Sequence, residues 1–212
     1  MPFTEKQYKQ RISLGQGDNT LTRLIIIDLV VFITLALIKV FYYFLFREEA
    51  IVASRFSNEA LKWVVLPADM NNFASRPWTI LTAMFTHVGI WMTLANMLWL
   101  WTFGYIMQDL TGNRKIIPLF IYGGLAGAIA FLIAVNLLPA AQTPANAVYF
   151  GASASITAIA VATTMVSPGY RIFPMLNGGF PLWILTAFYL VISIATVPYY
   201  SVEAYMPQVA GA

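Results

Sequence analysis

The feature that constrains this chain most is the run Leu24 to Phe46, LIIIDLVVFITLALIKVFYYFLF. It is apolar over a length that crosses a bilayer, which takes about 20 residues of α-helix. Further runs follow at about Thr79–Met107, Ile116–Leu138, Ala147–Val166 and Leu182–Val197. Inside lipid every backbone N–H and C=O must be satisfied within its own segment, so such runs become helices. Composition agrees: 59% of the 212 residues are hydrophobic and only 10% are charged, against about 25% charge in soluble domains. An ordinary soluble domain and a disordered chain are both excluded, and an all-α polytopic membrane protein is predicted.

Residues 1–23 are polar and basic and are read as a cytoplasmic N-terminal segment preceding a transmembrane domain over 24–212. Basic residues collect at Lys6, Lys9 and Arg11, at Arg114 and Lys115 and at Arg171, whereas the loop Pro139–Asn146 has none. Cytoplasmic loops carry the excess of Lys and Arg, so the N-terminus is placed in the cytoplasm, and a bacterial cytoplasmic membrane is the expected location. Asp28 and Lys39 interrupt the first run about three turns apart, on one face; both are read as interfacial anchors. Within the mixed loop 47–77, Ser57–Leu66 has the spacing of a short interfacial helix.

Zero cysteines exclude disulfides, iron–sulfur clusters and a thiol nucleophile, and a single histidine argues against a metal site. No cofactor is expected. The net charge of +3 is small and scattered, so it reports topology rather than nucleic-acid binding.

Two constellations carry possible chemistry. The fourth run opens Tyr149-Phe150-Gly151-Ala152-Ser153-Ala154-Ser155. Such small residues suit close helix packing, as do Gly123 and Gly127 in the third run. A serine beside glycine at a helix N-terminus also suits a nucleophile. The second run contains His87, Met92 and Asn96. Asn96 reads either as an interhelical hydrogen bond or as an oxyanion donor. His87 reads as a wet, structural histidine near the outer mouth of its helix.

In order and spacing these segments resemble the rhomboid family of intramembrane serine proteases. Arg76-Pro77-Trp78-Thr79 looks like the family's aromatic–basic motif, His87 and Asn96 match the outer positions of H-x4-H-x3-N, and Gly151-Ala152-Ser153-Ala154 is similar to the nucleophile motif G-x-S-G. The resemblance implies a bundle of six transmembrane helices, five visible here and a sixth starting at the tail. It places Ser153 at the nucleophile position and Asn96 at an oxyanion position. It also puts Met92 where the family has a donor histidine, and Ala154 where it has glycine. In the tail, Pro207-Gln208-Val209-Ala210-Gly211 puts Gln208 at the position of the catalytic base, with Gly151 expected to face Gly211.

A thioether donates no hydrogen bond and an amide is no base near neutral pH. Losing one member of a nucleophile–base unit costs roughly 10⁴–10⁶ in rate. The leading expectation is therefore a rhomboid fold without hydrolysis that binds transmembrane segments or partner membrane proteins in the bilayer. An active endopeptidase using Ser153, and an unrelated membrane scaffold, are the alternatives.

Overall fold

The computed structural model describes residues 19–137, 147–172 and 179–203. Helix α1 (Thr20–Phe46) starts where the Asn19 side chain accepts from the Thr22 N–H at 3.2 Å. It ends at Arg47, whose left-handed backbone (φ 55°) returns its N–H to the Tyr43 carbonyl. Leu21, Leu24, Asp28 and Leu35 form one buried stripe, while Ile27, Ile33, Leu37 and Phe44 stay exposed. A helix apolar all round but covered along one stripe turns the rest to lipid.

The first loop is more ordered than its mixed sequence suggests. Helix α2 (Glu49–Arg55) widens into a π-turn at Phe56–Ala60 and then tightens into a 3-10 turn at Leu61–Trp63. The short helix expected over Ser57–Leu66 thus begins earlier, at Glu49, and ends at Trp63. Arg55 and Glu59 pair at 2.9 Å, and the Tyr42 hydroxyl donates to Glu59 at 2.8 Å, which ties this segment to α1. After β1 (Leu66–Pro67), Asp69 caps α3 (Met70–Ser75) by accepting from the Asn72 N–H.

The expected single span Thr79–Met107 is two helices. A short α4 (Thr79–Thr82) runs through a 3-10 turn at Ala83–Phe85 and meets α5 (Ile90–Thr111) at a bend of 89°. The Thr82 hydroxyl donates to the Val64 carbonyl at 2.9 Å, and the Thr86 hydroxyl shares its proton between the Thr82 carbonyl at 2.9 Å and that of Val64 at 3.3 Å, so the first loop holds the elbow in place. Gly112 (φ 79°) closes α5, and α6 (Ile116–Leu137) returns.

Strand β2 (Val148–Tyr149) pairs antiparallel with β1, Leu66 opposite Tyr149. The Gly151 N–H then donates to the Ala83 carbonyl at 2.8 Å. These bonds deliver the chain into α7 (Ser153–Val166). A hairpin of β3 (Arg171–Ile172) and β4 (Phe180–Pro181) leads to α8 (Leu182–Glu203). By length and apolarity α1 and 113–137 can each cross a membrane, and the bent pair Thr79–Phe85 and Ile90–Thr111 counts as a third only when taken as one span; α7 and Leu182–Ala195 are shorter apolar helices.

Helix α7 sits among α5, α6 and α8. Its Ile156, Ile159 and Ala160 join Leu100, Phe103 and Phe120 in the core. The GxxxG reading holds here: a Cβ on Gly123 would overlap Ala158, and one on Gly127 would overlap Ala154.

Candidate functional site

Ser153 is the first residue of α7, with its side chain exposed. Its carbonyl accepts from the Thr157 hydroxyl at 2.8 Å and from the Tyr189 hydroxyl of α8 at 3.2 Å. Gly151 just before it has φ 102°, a region L side chains rarely adopt. A Cβ built there would lie 2.6 Å from the Met92 methyl and 4.0 Å from the Asn96 amide nitrogen. Met92 and Asn96, one turn apart on α5, therefore both meet the loop that leads to Ser153. Ala154 turns to α6 and packs on Gly127, and Ser155 is buried against Gly124.

Asn96 also donates through its amide to the His87 Nε2 at 3.1 Å. An imidazole nitrogen that accepts carries no proton, so the ring proton lies on Nδ1. That atom is 3.3 Å from the Phe85 carbonyl and 3.8 Å from the Asp28 carboxylate. Both His87 and Asp28 are 0% exposed. These positions correct two expectations. His87 is not a wet residue at the mouth of a helix, because the 89° elbow folds it inward. Asp28 is not an interfacial anchor either: the buried stripe of α1 carries it inside the bundle, where neither carboxyl oxygen has a hydrogen-bond partner among the described residues. Lys39, three turns on, is exposed.

A line of polar groups thus runs from Asp28 through His87 to Asn96 and ends beside Gly151. Sequence reasoning took its members one by one and missed the line. One signal was available, since an ionisable residue inside a membrane span marks a functional site by default. Its partner depends on the elbow, which no local pattern announces. Gln208, Ala210 and Gly211 lie outside the described residues, and with them the expected approach of Gly211 to Gly151; the neighbour seen at Gly151 is Met92.

The opposite wall is aromatic. Trp99 and Phe103 of α5 meet Tyr189 of α8 with ring centroids 5.0 and 5.4 Å apart, and Trp99 meets Phe188 at 6.4 Å. Tyr189 is buried, whereas Phe188 is 57% exposed at the outer edge of the α5–α8 seam.

No curated protein matches the chain. A family model, the Rhomboid domain, matches residues 74–210, which take in α4 through α8 and every site residue named above except Asp28 and Gly211. That match covers well over half of the sequence, and with the elbow, the α6–α7 glycine contact and Ser153 opening α7 it shows that this integral membrane protein belongs to the rhomboid family.

Proposed function

We propose that this chain is a rhomboid without hydrolytic activity, which holds transmembrane segments or partner membrane proteins at the seam between α5 and α8. One observation carries the reading. The only histidine in the 212 residues is buried, and its acceptor nitrogen is taken up by Asn96, whereas Ser153 is exposed at the start of α7. A serine alcohol needs a base to take its proton before it can attack a carbonyl. With Gln208 at the family's base position, none is provided within these 212 residues. Met92 supports the same reading, because its methyl group occupies the space beside Gly151 where a donor would serve an oxyanion.

In this reading Ser153, Asn96, Met92 and Gly151 form a docking surface for the backbone of a bound segment. The basic residues Lys6, Lys9, Arg11, Arg114, Lys115 and Arg171 face the cytoplasm of a bacterial inner membrane, and the uncharged Pro139–Asn146 loop lies opposite. Single-cysteine labelling at Gln7 and Gln142 tests that arrangement; labelling of both from one side contradicts it.

The test of inactivity uses the full chain in bilayers, a model transmembrane substrate and a fluorophosphonate probe. Neither cleavage nor labelling is expected. Gln208→His supplies an imidazole, and adding Met92→His supplies a donor, with a further gain of up to roughly 10²–10³. Ser153→Ala must abolish any such signal. Ser153-dependent cleavage by the unmodified chain would make it an endopeptidase.

A further inference from the structure

The first loop carries a second site, remote from Ser153 in function and chemistry. A cavity of about 330 Å³ is lined by Lys62, Trp63, Asn72, Ser75 and Arg76. Two cations converge there on one indole: the Lys62 Nζ lies 5.5 Å and the Arg76 guanidinium 5.8 Å from the Trp63 ring centroid. One Arg76 nitrogen donates to the Lys62 carbonyl, which anchors the guanidinium beside Lys62. The remaining N–H groups are free for a ligand, since a guanidinium has five.

No acidic residue lines the cavity. Of the two carboxylates nearby in sequence, Asp69 caps the Asn72 N–H at 2.8 Å, and Glu59 is engaged by Arg55 at 2.9 Å and by the Tyr42 hydroxyl at 2.8 Å. Among the described residues neither Lys62 nor Arg76 forms an ion pair, in contrast to Arg55, which has Glu59. Both cations line one cavity that has no carboxylate among its lining residues. An oxyanion bound there gains charge-assisted hydrogen bonds, and a planar guanidinium suits phosphate in particular.

The rim of the cavity says which phosphate. Trp63 and Trp78 stack with centroids 6.2 Å apart and planes 8° apart, and the Trp78 Nε1 donates to the Trp63 carbonyl at 3.0 Å. Both indoles stay about half exposed. Free phosphate has no use for such an apolar rim, whereas a lipid headgroup brings glycerol and acyl chains to it. Position agrees. Helix α1 has 27 residues, or about 40 Å against a hydrocarbon core of about 30 Å, so its C-terminal end and the loop that follows stand at headgroup level. Tryptophan collects at that depth on either side of a membrane, and a guanidinium there takes a lipid phosphate through paired N–H donors.

We propose that Lys62, Arg76 and the Trp63–Trp78 pair form a binding site for the phosphate of an anionic glycerophospholipid, which fastens the first loop to the membrane surface. The site does not depend on whether Ser153 is active.

Native mass spectrometry of the full chain in detergent tests it, with phosphatidylglycerol and phosphatidylcholine as probes. The Lys62 side chain is exposed and makes no hydrogen bond among the described residues, so Lys62→Glu leaves the loop's bonds intact. This variant should retain phosphatidylglycerol roughly tenfold less well, the worth of one charged contact. Retention of phosphatidylcholine should not change, which also reports that the fold survives. Arg114→Glu, an exposed charge reversal in another loop, should match the unmodified chain. Excess inorganic phosphate should leave the bound lipid in place. Equal retention by Lys62→Glu and the unmodified chain would overturn the site. Displacement by inorganic phosphate would overturn the lipid assignment in favour of a small-anion pocket.

Discussion

Helix α7 has two very different flanks. Toward α6 it presents Ala154, Ser155 and Ala158 to Gly123, Gly124 and Gly127, and the contact is so close that a methyl group on any of these glycines meets atoms of the facing elements. Toward α8 it presents threonines. Thr157 meets the Tyr189 hydroxyl at 3.4 Å, and Thr164 meets the Thr186 hydroxyl at 2.5 Å. Around them Trp183, Phe188, Val191 and Ile194 of α8 stay exposed. In lipid there is no hydrophobic drive to hold two apolar helices together; packing and hydrogen bonds do it. The α6 flank has dense packing, which is lost as soon as the helices part. The α8 flank has a few hydroxyl contacts, each worth about 0.6 kcal/mol in a membrane, and lipid or a guest helix can replace its aromatic contacts. One flank is a fixed wall and the other is a seam.

The largest effects should come from filling the wall. Gly127→Val drives a branched side chain into Ala154 and Tyr149; overpacking of this kind costs about 1–3 kcal/mol or more. Gly151→Val adds backbone strain at φ 102° to a clash with Met92 and should cost at least as much. Gly169→Val, in a loop with open space around it, should stay within about 0.5 kcal/mol. Thermal denaturation in detergent ranks the three, and equal melting points would remove the distinction between wall and loop.

Intermediate effects belong to the seam. Tyr189→Phe removes the hydroxyl that donates to the Ser153 carbonyl and keeps the ring against Trp99 and Phe103. A loss of about 0.5–1.5 kcal/mol is expected, with greater access of lipid-soluble quenchers to Trp99. The smallest change is Thr164→Val, about 0.6 kcal/mol, because Thr186 can turn its hydroxyl back to its own helix. If Thr164→Val cost as much as Gly127→Val, the two flanks would be energetically alike.

The wall was legible in the sequence and the polar centre was not. Gly123 and Gly127 four apart in an apolar run have few uses other than close helix approach, so their role follows from local pattern. The first and third runs were likewise legible, because bilayer thickness sets their length. The elbow was hidden: no proline or charge marks Thr86–Gly89, and the bonds that hold it come from Val64, far back in the first loop. His87 and Asp28 were misread for the same reason, since each looked like a residue near a helix end until the bend brought them together. Met92 was legible in kind, as a side chain without a donor, but its contact with Gly151 required the packing of α5 on the α7 entrance.

The seam and the proposed inactivity of Ser153 meet in one measurement. A photo-reactive phenylalanine analogue is placed at Phe188, on the exposed edge of α8, and for comparison at Ile133, on the exposed face of α6. Each protein is illuminated in nanodiscs with a labelled transmembrane peptide. The account predicts cross-linking of intact peptide at 188, little at 133, and no peptide fragments with or without Ser153→Ala. Equal cross-linking at both positions, or fragments that vanish with Ser153→Ala, would contradict it.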